Sequence, residues 1–124
     1  MENLKEFKFE YIEAIKREIN TDFIGKDKIK IEIPIISEIT HNYITIFLDK
    51  LDNGDYKITD NLQLSKIIKN SGKDLKNYID PEETFLRLDD SGEVYTIADK
   101  NSLFFKFNMF LRDYVVTESK LKVA

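Results

Sequence analysis

The run from Tyr43 to Asp60, YITIFLDKLDNGDYKITD, constrains the fold more than any other stretch of this chain. Ile44, Ile46 and Leu48 alternate with Thr45, Phe47 and Asp49, the two-residue period of a strand with one buried face. Asn53-Gly54 supplies the strongest short hairpin signal, because both residues tolerate positive φ and a type I′ turn asks for it twice. Tyr56 and Ile58 carry the alternation into a return strand. The segment predicts an antiparallel hairpin closed by a two-residue turn.

The flanking segments predict the remaining elements. Over residues 3–19, Leu4, Phe7, Tyr11, Ile15 and Ile19 recur at helical spacing between Lys and Glu, and Thr21 to Gly25 ends that helix. Ile29, Ile31, Ile33 and Ile35 alternate with Lys28, Lys30 and Glu32 in a strand over residues 28–35. Pro34 cannot donate to a ladder, which puts this strand at a sheet edge or ends it there. Asp60 reads as a helix N-cap with Gln63 as its capping-box partner, Leu64, Ile67 and Ile68 as the buried face, and Gly72 beyond the end. Residues 85–88 and 94–97 pair as a second hairpin across Asp89-Asp90-Ser91-Gly92. Asp99 opens a last helix to about residue 116, with Leu103, Phe107, Phe110 or Leu111, and Tyr114 as its main stripe. No βαβ alternation is present. The expected architecture is a single α+β domain over residues 1–124: an antiparallel sheet of two hairpins plus an edge strand, packed by N-terminal, central and C-terminal helices.

Composition bounds the chemistry. The 124 residues are 42% hydrophobic and 12% aromatic, enough to build a core. No cysteine is present, so disulfides, thiolate metal sites and cysteine nucleophiles are excluded, and a reducing cytoplasm is the expected setting. The charged start MENLKEFKFE is not a signal peptide, and no apolar run reaches the length of a membrane helix. The net charge of −4 is unevenly spread. Asp80, Glu82, Glu83, Asp89, Asp90 and Glu93 stand against Arg87 alone, whereas residues 66–76 and residues 100–124 are each net basic.

The run from Pro34 to Leu64, PIISEITHNYITIFLDKLDNGDYKITDNLQL, resembles a bacterial and phage domain-of-unknown-function family, number eighteen twenty-eight. That family shows a Thr-Pro entry, an acid and a His or Asn soon after, a strand, a Gly-containing turn, and a Leu-Thr-Asp-Asp-Gly stretch opening a helix. Pro34, His41, Asn42, Tyr43, Ile44, Gly54, Tyr56, Ile58, Thr59 and Asp60 fit this pattern, and the resemblance covers residues 28–116 or so. Asn61-Leu62 stands where the family has Asp-Gly, and Ile33 where it has Thr. The resemblance implies a phage or mobile-element setting and carries no established biochemistry.

No catalytic constellation emerges, and no catalytic residue, metal site or cofactor is assigned. His41, the single histidine, has Glu38 or Asp60 as a candidate partner for proton transfer, and Thr59, Asp60 and His41 form the alternative site of an enzyme or ligand-binding domain. Asp49, Asp52, Asp55 and Asp60 lack the spacing of a calcium loop. Dense acids suit a basic groove on a partner, which attracts negative charge over long range. Asp80, Glu82, Glu83, Asp89, Asp90 and Glu93 are therefore the candidate partner surface. The lysine patch is small and the chain acidic, which argues against direct nucleic-acid binding. The last helix is apolar nearly all round, and Phe105, Met109 and Arg112 are the candidate self-association residues of a homodimer, the bland alternative being a structural dimerisation module. These features read as a small binding protein rather than an enzyme. Its concrete form is an anti-CRISPR-like inhibitor of a host nucleic-acid-targeting defence system, whose partner is a host protein with a basic groove.

Overall fold

The computed structural model describes residues 20–123, so the amphipathic helix expected over residues 3–19 lies outside the described residues. Six strands, β1 (Asn20–Gly25), β2 (Lys28–Ile36), β3 (Tyr43–Lys50), β4 (Tyr56–Thr59), β5 (Arg87–Leu88) and β6 (Val94–Ala98), form one sheet in the order β1-β2-β3-β4-β6-β5. Every pairing is antiparallel. A short helix α1 (Gln63–Ile68) and a long helix α2 (Leu103–Val123) complete the α+β fold among the described residues.

The ladder explains the alternation. Ile33 pairs with Ile44, Ile31 with Ile46 and Ile58 with Thr96, which puts these side chains on one face with Val94 and Ala98. That face is the core, closed by Leu64 and Ile68 of α1 and by Phe110, Tyr114 and Leu121 of α2. Phe110 and Tyr114 stack at 5.9 Å. Phe47 points to the reverse face and is still buried, with the Lys28 ammonium 5.5 Å from its ring centre.

Four local expectations are corrected. First, residues 21–25 are not an irregular stop but part of the strand β1, so β2 is an interior strand rather than an edge. The ladder accommodates Pro34 with a register shift between Ile33 and Ile36, because a proline has no N–H for the ladder and a bulge absorbs the gap. Second, the β3–β4 turn is not a two-residue type I′ turn. The N–H of Leu51 donates to Asp55 O at 2.8 Å and that of Gly54 to Leu51 O at 3.0 Å, enclosing three loop residues. Gly54 alone takes positive φ, at 90°. The Asn53 side chain accepts the Asp55 N–H at 2.9 Å, which holds Asn53 out of the left-handed region. Third, β5 shrinks to Arg87–Leu88, because the N–H of Phe85 donates to the Asp113 carboxylate at 2.8 Å instead of to a ladder. Fourth, α2 starts at Leu103, after the Asp99 carboxylate accepts the Ser102 N–H at 2.8 Å, and runs to Val123.

Candidate functional site

The Thr59-Asp60 turn is where the chain leaves β4 for α1. Asn61 and Leu62 both follow in the left-handed region, at φ 55° and 69°. This puts the Asp60 carboxylate beneath the open end of α1, where unpaired N–H groups collect. Oδ1 accepts from Leu62 N at 3.0 Å and Val94 N at 3.2 Å; Oδ2 accepts from Leu64 N at 3.0 Å and the Tyr114 hydroxyl at 3.1 Å. Asp60 thus ties β4, α1, β6 and α2 together. It caps α1 from two residues before the position expected of an N-cap, which Leu62 holds with no side-chain bond. Gln63 reaches back as a capping box would, but to the carbonyls of Asp60 at 2.9 Å and Thr45 at 3.0 Å. Asp60 is fully buried, and that burial raises its carboxyl above the ordinary range although four donors pull it down.

Beside it lies a second buried carboxylate. Glu118 of α2 accepts from the Ser37 hydroxyl at 2.9 Å, and Ser37 Oγ accepts the N–H groups of Ile39 and Thr40, so one contact pins the β2–β3 connection to the helix. Burial raises Glu118, while the Ser37 bond opposes and Glu38 and Asp60 add to the rise. Burial likewise pushes Tyr114 well above its ordinary value, with Asp60 and Glu118 adding to it. A cavity of about 20 Å³ between Ser37, Thr45, Gln63, Tyr114 and Glu118 has room for one water.

The three members of the alternative site do not converge. His41 is exposed in the β2–β3 turn at φ 63°, and the four donors on the Asp60 carboxylate are Leu62, Leu64, Val94 and Tyr114. Thr59 is fully buried and donates to Glu93 at 2.5 Å. A carboxylate saturated by four donors has no lone pair aimed at a substrate, so this turn is a structural hub. Among the described residues, no group of three or more carboxylate and imidazole side chains converges as a metal site would require.

The acidic segment splits by role. Glu93 turns inward to Lys57 at 2.5 Å and to Thr59, with its side chain only 15% exposed. Asp89 folds the β5–β6 turn, accepting from the Ser91 hydroxyl at 2.6 Å, Ser91 N at 2.9 Å and Glu93 N at 3.0 Å; the Ser91 hydroxyl is the main reason its carboxyl lies below the ordinary range. Asp80 does similar work, accepting Glu82 N at 2.9 Å. Glu82, Glu83 and Asp90 are exposed and, among the described residues, have no such backbone duty. Asp89 and Asp90 line one side of a groove of about 290 Å³ whose other side carries Lys69, Lys73 and Lys76. The acidic turn and the lysine patch are therefore neighbours. Gly92 closes this turn: it sits at φ 93°, and a Cβ there would lie 2.5 Å from Ser65 Oγ, which donates to Gly92 O.

On α2, Phe105, Met109, Arg112 and Val116 recur at four- and three-residue steps, opposite the buried face formed by Phe110, Tyr114, Thr117 and Leu121. Phe105 is 57% exposed and Val116 48%; Met109 is half-buried; Arg112 pairs with Asp113 at 3.1 Å. Phe85 meets Phe105 edge to face at 5.7 Å, and its N–H is held by Asp113. The contact thus brings the chain just after Glu82 and Glu83 to the apolar stripe, while Asp89 and Asp90 lie beside the lysine patch. Sequence reasoning did not single out Phe85, Ser37 or Glu118, and nothing local marks them: each is recognisable only by a partner at least twenty positions away.

Comparison with protein-family models, with curated proteins and with solved structures finds no match to this chain.

Proposed function

We propose that the chain is a protein-binding module whose working surface is the acidic rim around Glu82, Glu83 and Asp90 together with the aromatic stripe beginning at Phe105. The observation that carries this reading is the Phe85–Phe105 contact, which joins an acidic loop to an exposed apolar helix face. Apolar side chains with a charged rim are the usual anatomy of a specific interface. Acids on the rim steer a basic partner and set the salt dependence, while Phe105 and Met109 supply burial. The partner is a host protein with a basic groove. In its concrete form, the protein inhibits a nucleic-acid-targeting defence system, as an anti-CRISPR-like phage or mobile-element protein in the cytoplasm; the setting rests on the resemblance of residues 34–64. A second copy is the less favoured occupant of the stripe. Arg112 lies within the stripe, so a second copy would bring a like charge to it.

The test is affinity capture from a bacterial lysate with parent, Glu82→Ala/Glu83→Ala/Asp90→Ala and His41→Ala baits. The reading expects one protein retained by the parent and by His41→Ala, and lost from the triple variant. Equal capture by the parent and the triple variant overturns it. The triple variant leaves Asp80 and Asp89 in place because their carboxylates hold turns.

A further inference from the structure

Asn53 is the one asparagine of the chain followed by glycine, and the fold sets this pair at the tip of the β3–β4 hairpin. An asparagine side chain can react with its own backbone: the nitrogen of the next residue attacks the side-chain amide carbon. A side chain on that next residue obstructs the approach. Gly54 has none, and no atom lies within 4 Å of where a Cβ would stand. Asp52, Asn53 and Gly54 are all exposed, so water reaches the pair.

The folded turn holds both reacting groups. The Gly54 N–H donates to Leu51 O at 3.0 Å. The Asn53 side-chain oxygen accepts the Asp55 N–H at 2.9 Å, and its Nδ2 donates to the Asp55 carboxylate at 3.4 Å. Ring closure therefore waits on release of these bonds. They lie at an exposed loop tip, where water competes for each group and local opening costs far less than global unfolding.

We propose that Asn53 is a self-modification site, converted to aspartate and isoaspartate whenever the β3–β4 turn opens. Gly54 N gives up its proton and bonds to Cγ of Asn53. The Cγ–Nδ2 bond breaks, and the nitrogen leaves as ammonia with that proton. The product is a cyclic imide. Water then adds to one of its two carbonyl carbons, and the bond from that carbon to Gly54 N breaks as the nitrogen takes a proton back. Addition at Cγ leaves aspartate. Addition at the main-chain carbon leaves isoaspartate, whose backbone runs on through Cγ. The net change is one water consumed and one ammonia released. Either product adds a negative charge beside Asp52 and Asp55. Isoaspartate also lengthens the backbone by one carbon, so the three-residue loop that pairs Leu51 with Asp55 no longer fits.

Ageing the full chain in mildly alkaline buffer, followed by trypsin digestion and mass spectrometry, tests this. Cleavage after Lys50 and Lys57 releases residues 51–57 as one peptide. In the folded parent that peptide should gain the mass that separates an acid from an amide, divided between aspartate and isoaspartate forms resolved by chromatography. In guanidinium chloride the parent should convert at least tenfold faster, because the turn no longer holds either group. Gly54→Ala, compared with the parent in guanidinium chloride so that the strain of the folded turn plays no part, should convert at least tenfold more slowly. A folded parent still unconverted after the denatured parent has converted completely overturns the proposal. So does a folded rate equal to the denatured rate, or a Gly54→Ala rate equal to that of the parent.

Discussion

The phenol of Tyr114 donates to the Asp60 carboxylate at 3.1 Å, joining positions 54 residues apart in the chain. That bond is one of four on the same carboxylate, and the other three come from backbone N–H groups of α1 and β6. Asp60→Asn puts one oxygen and an NH₂ group among four donors, leaving at least one buried donor unpaired. Hydrogen bonds to a charged group contribute about 1.5–3 kcal/mol each. Asp60→Asn should therefore cost about 3 kcal/mol or more in urea unfolding, and Tyr114→Phe about 1.5 kcal/mol. A loss below about 0.5 kcal/mol for Asp60→Asn would contradict the hub.

Glu118 predicts a pH dependence with a definite sign. Its carboxyl is raised above the ordinary 4.5, chiefly by burial, so the folded chain binds this proton more tightly than the unfolded chain does. This contribution to stability is complete below the ordinary value and is lost as pH rises through the folded value. Glu118→Gln keeps an acceptor for the Ser37 hydroxyl and never ionises. The melting temperatures of variant and parent should converge at roughly pH 4, with the variant the more stable above that window and the gap constant at neutral pH. A gap that widens toward acid would reverse the sign and refute the assignment.

Leu62 holds φ 69°, a region that costs a residue with a Cβ about 1–2 kcal/mol and costs glycine little. Leu62→Gly and Leu62→Ala lose nearly the same packing, so their difference isolates the backbone. The glycine variant should be the more stable of the two by about 1 kcal/mol in denaturant titration. An alanine variant equal or superior to it would mean that the backbone relaxes at this turn.

How much was legible in advance follows from the range of the interactions. Ile44, Ile46 and Ile58 were readable because strand alternation is local and repeats. β1 was not, because its alternation is short, breaks at Ile24, and follows a stretch with helical spacing. Asn53-Gly54 marks the place of the turn but not its type, because the Asn53 side chain competes for the Asp55 N–H. Asp60 was legible as a cap and not as a hub, since Val94 and Tyr114 come from distant elements. The acidic segment looked uniform in sequence. Only the fold separates Glu93, committed to Lys57 and Thr59, from Glu82, Glu83 and Asp90.

The central claim is that one surface, acidic at Glu82, Glu83 and Asp90 and apolar at Phe105, engages a basic protein partner. The most direct measurement is titration of the captured partner against parent, Glu82→Ala/Glu83→Ala/Asp90→Ala and Phe105→Ala at rising salt. Exposed charges are screened beyond about 8 Å at physiological ionic strength. The account predicts that parent affinity falls with salt, that the charge variant is weaker at low salt and nearly indifferent to salt, and that Phe105→Ala is weaker at every salt concentration with the parent slope retained. Parent affinity independent of salt, with both variants binding like the parent, would contradict it.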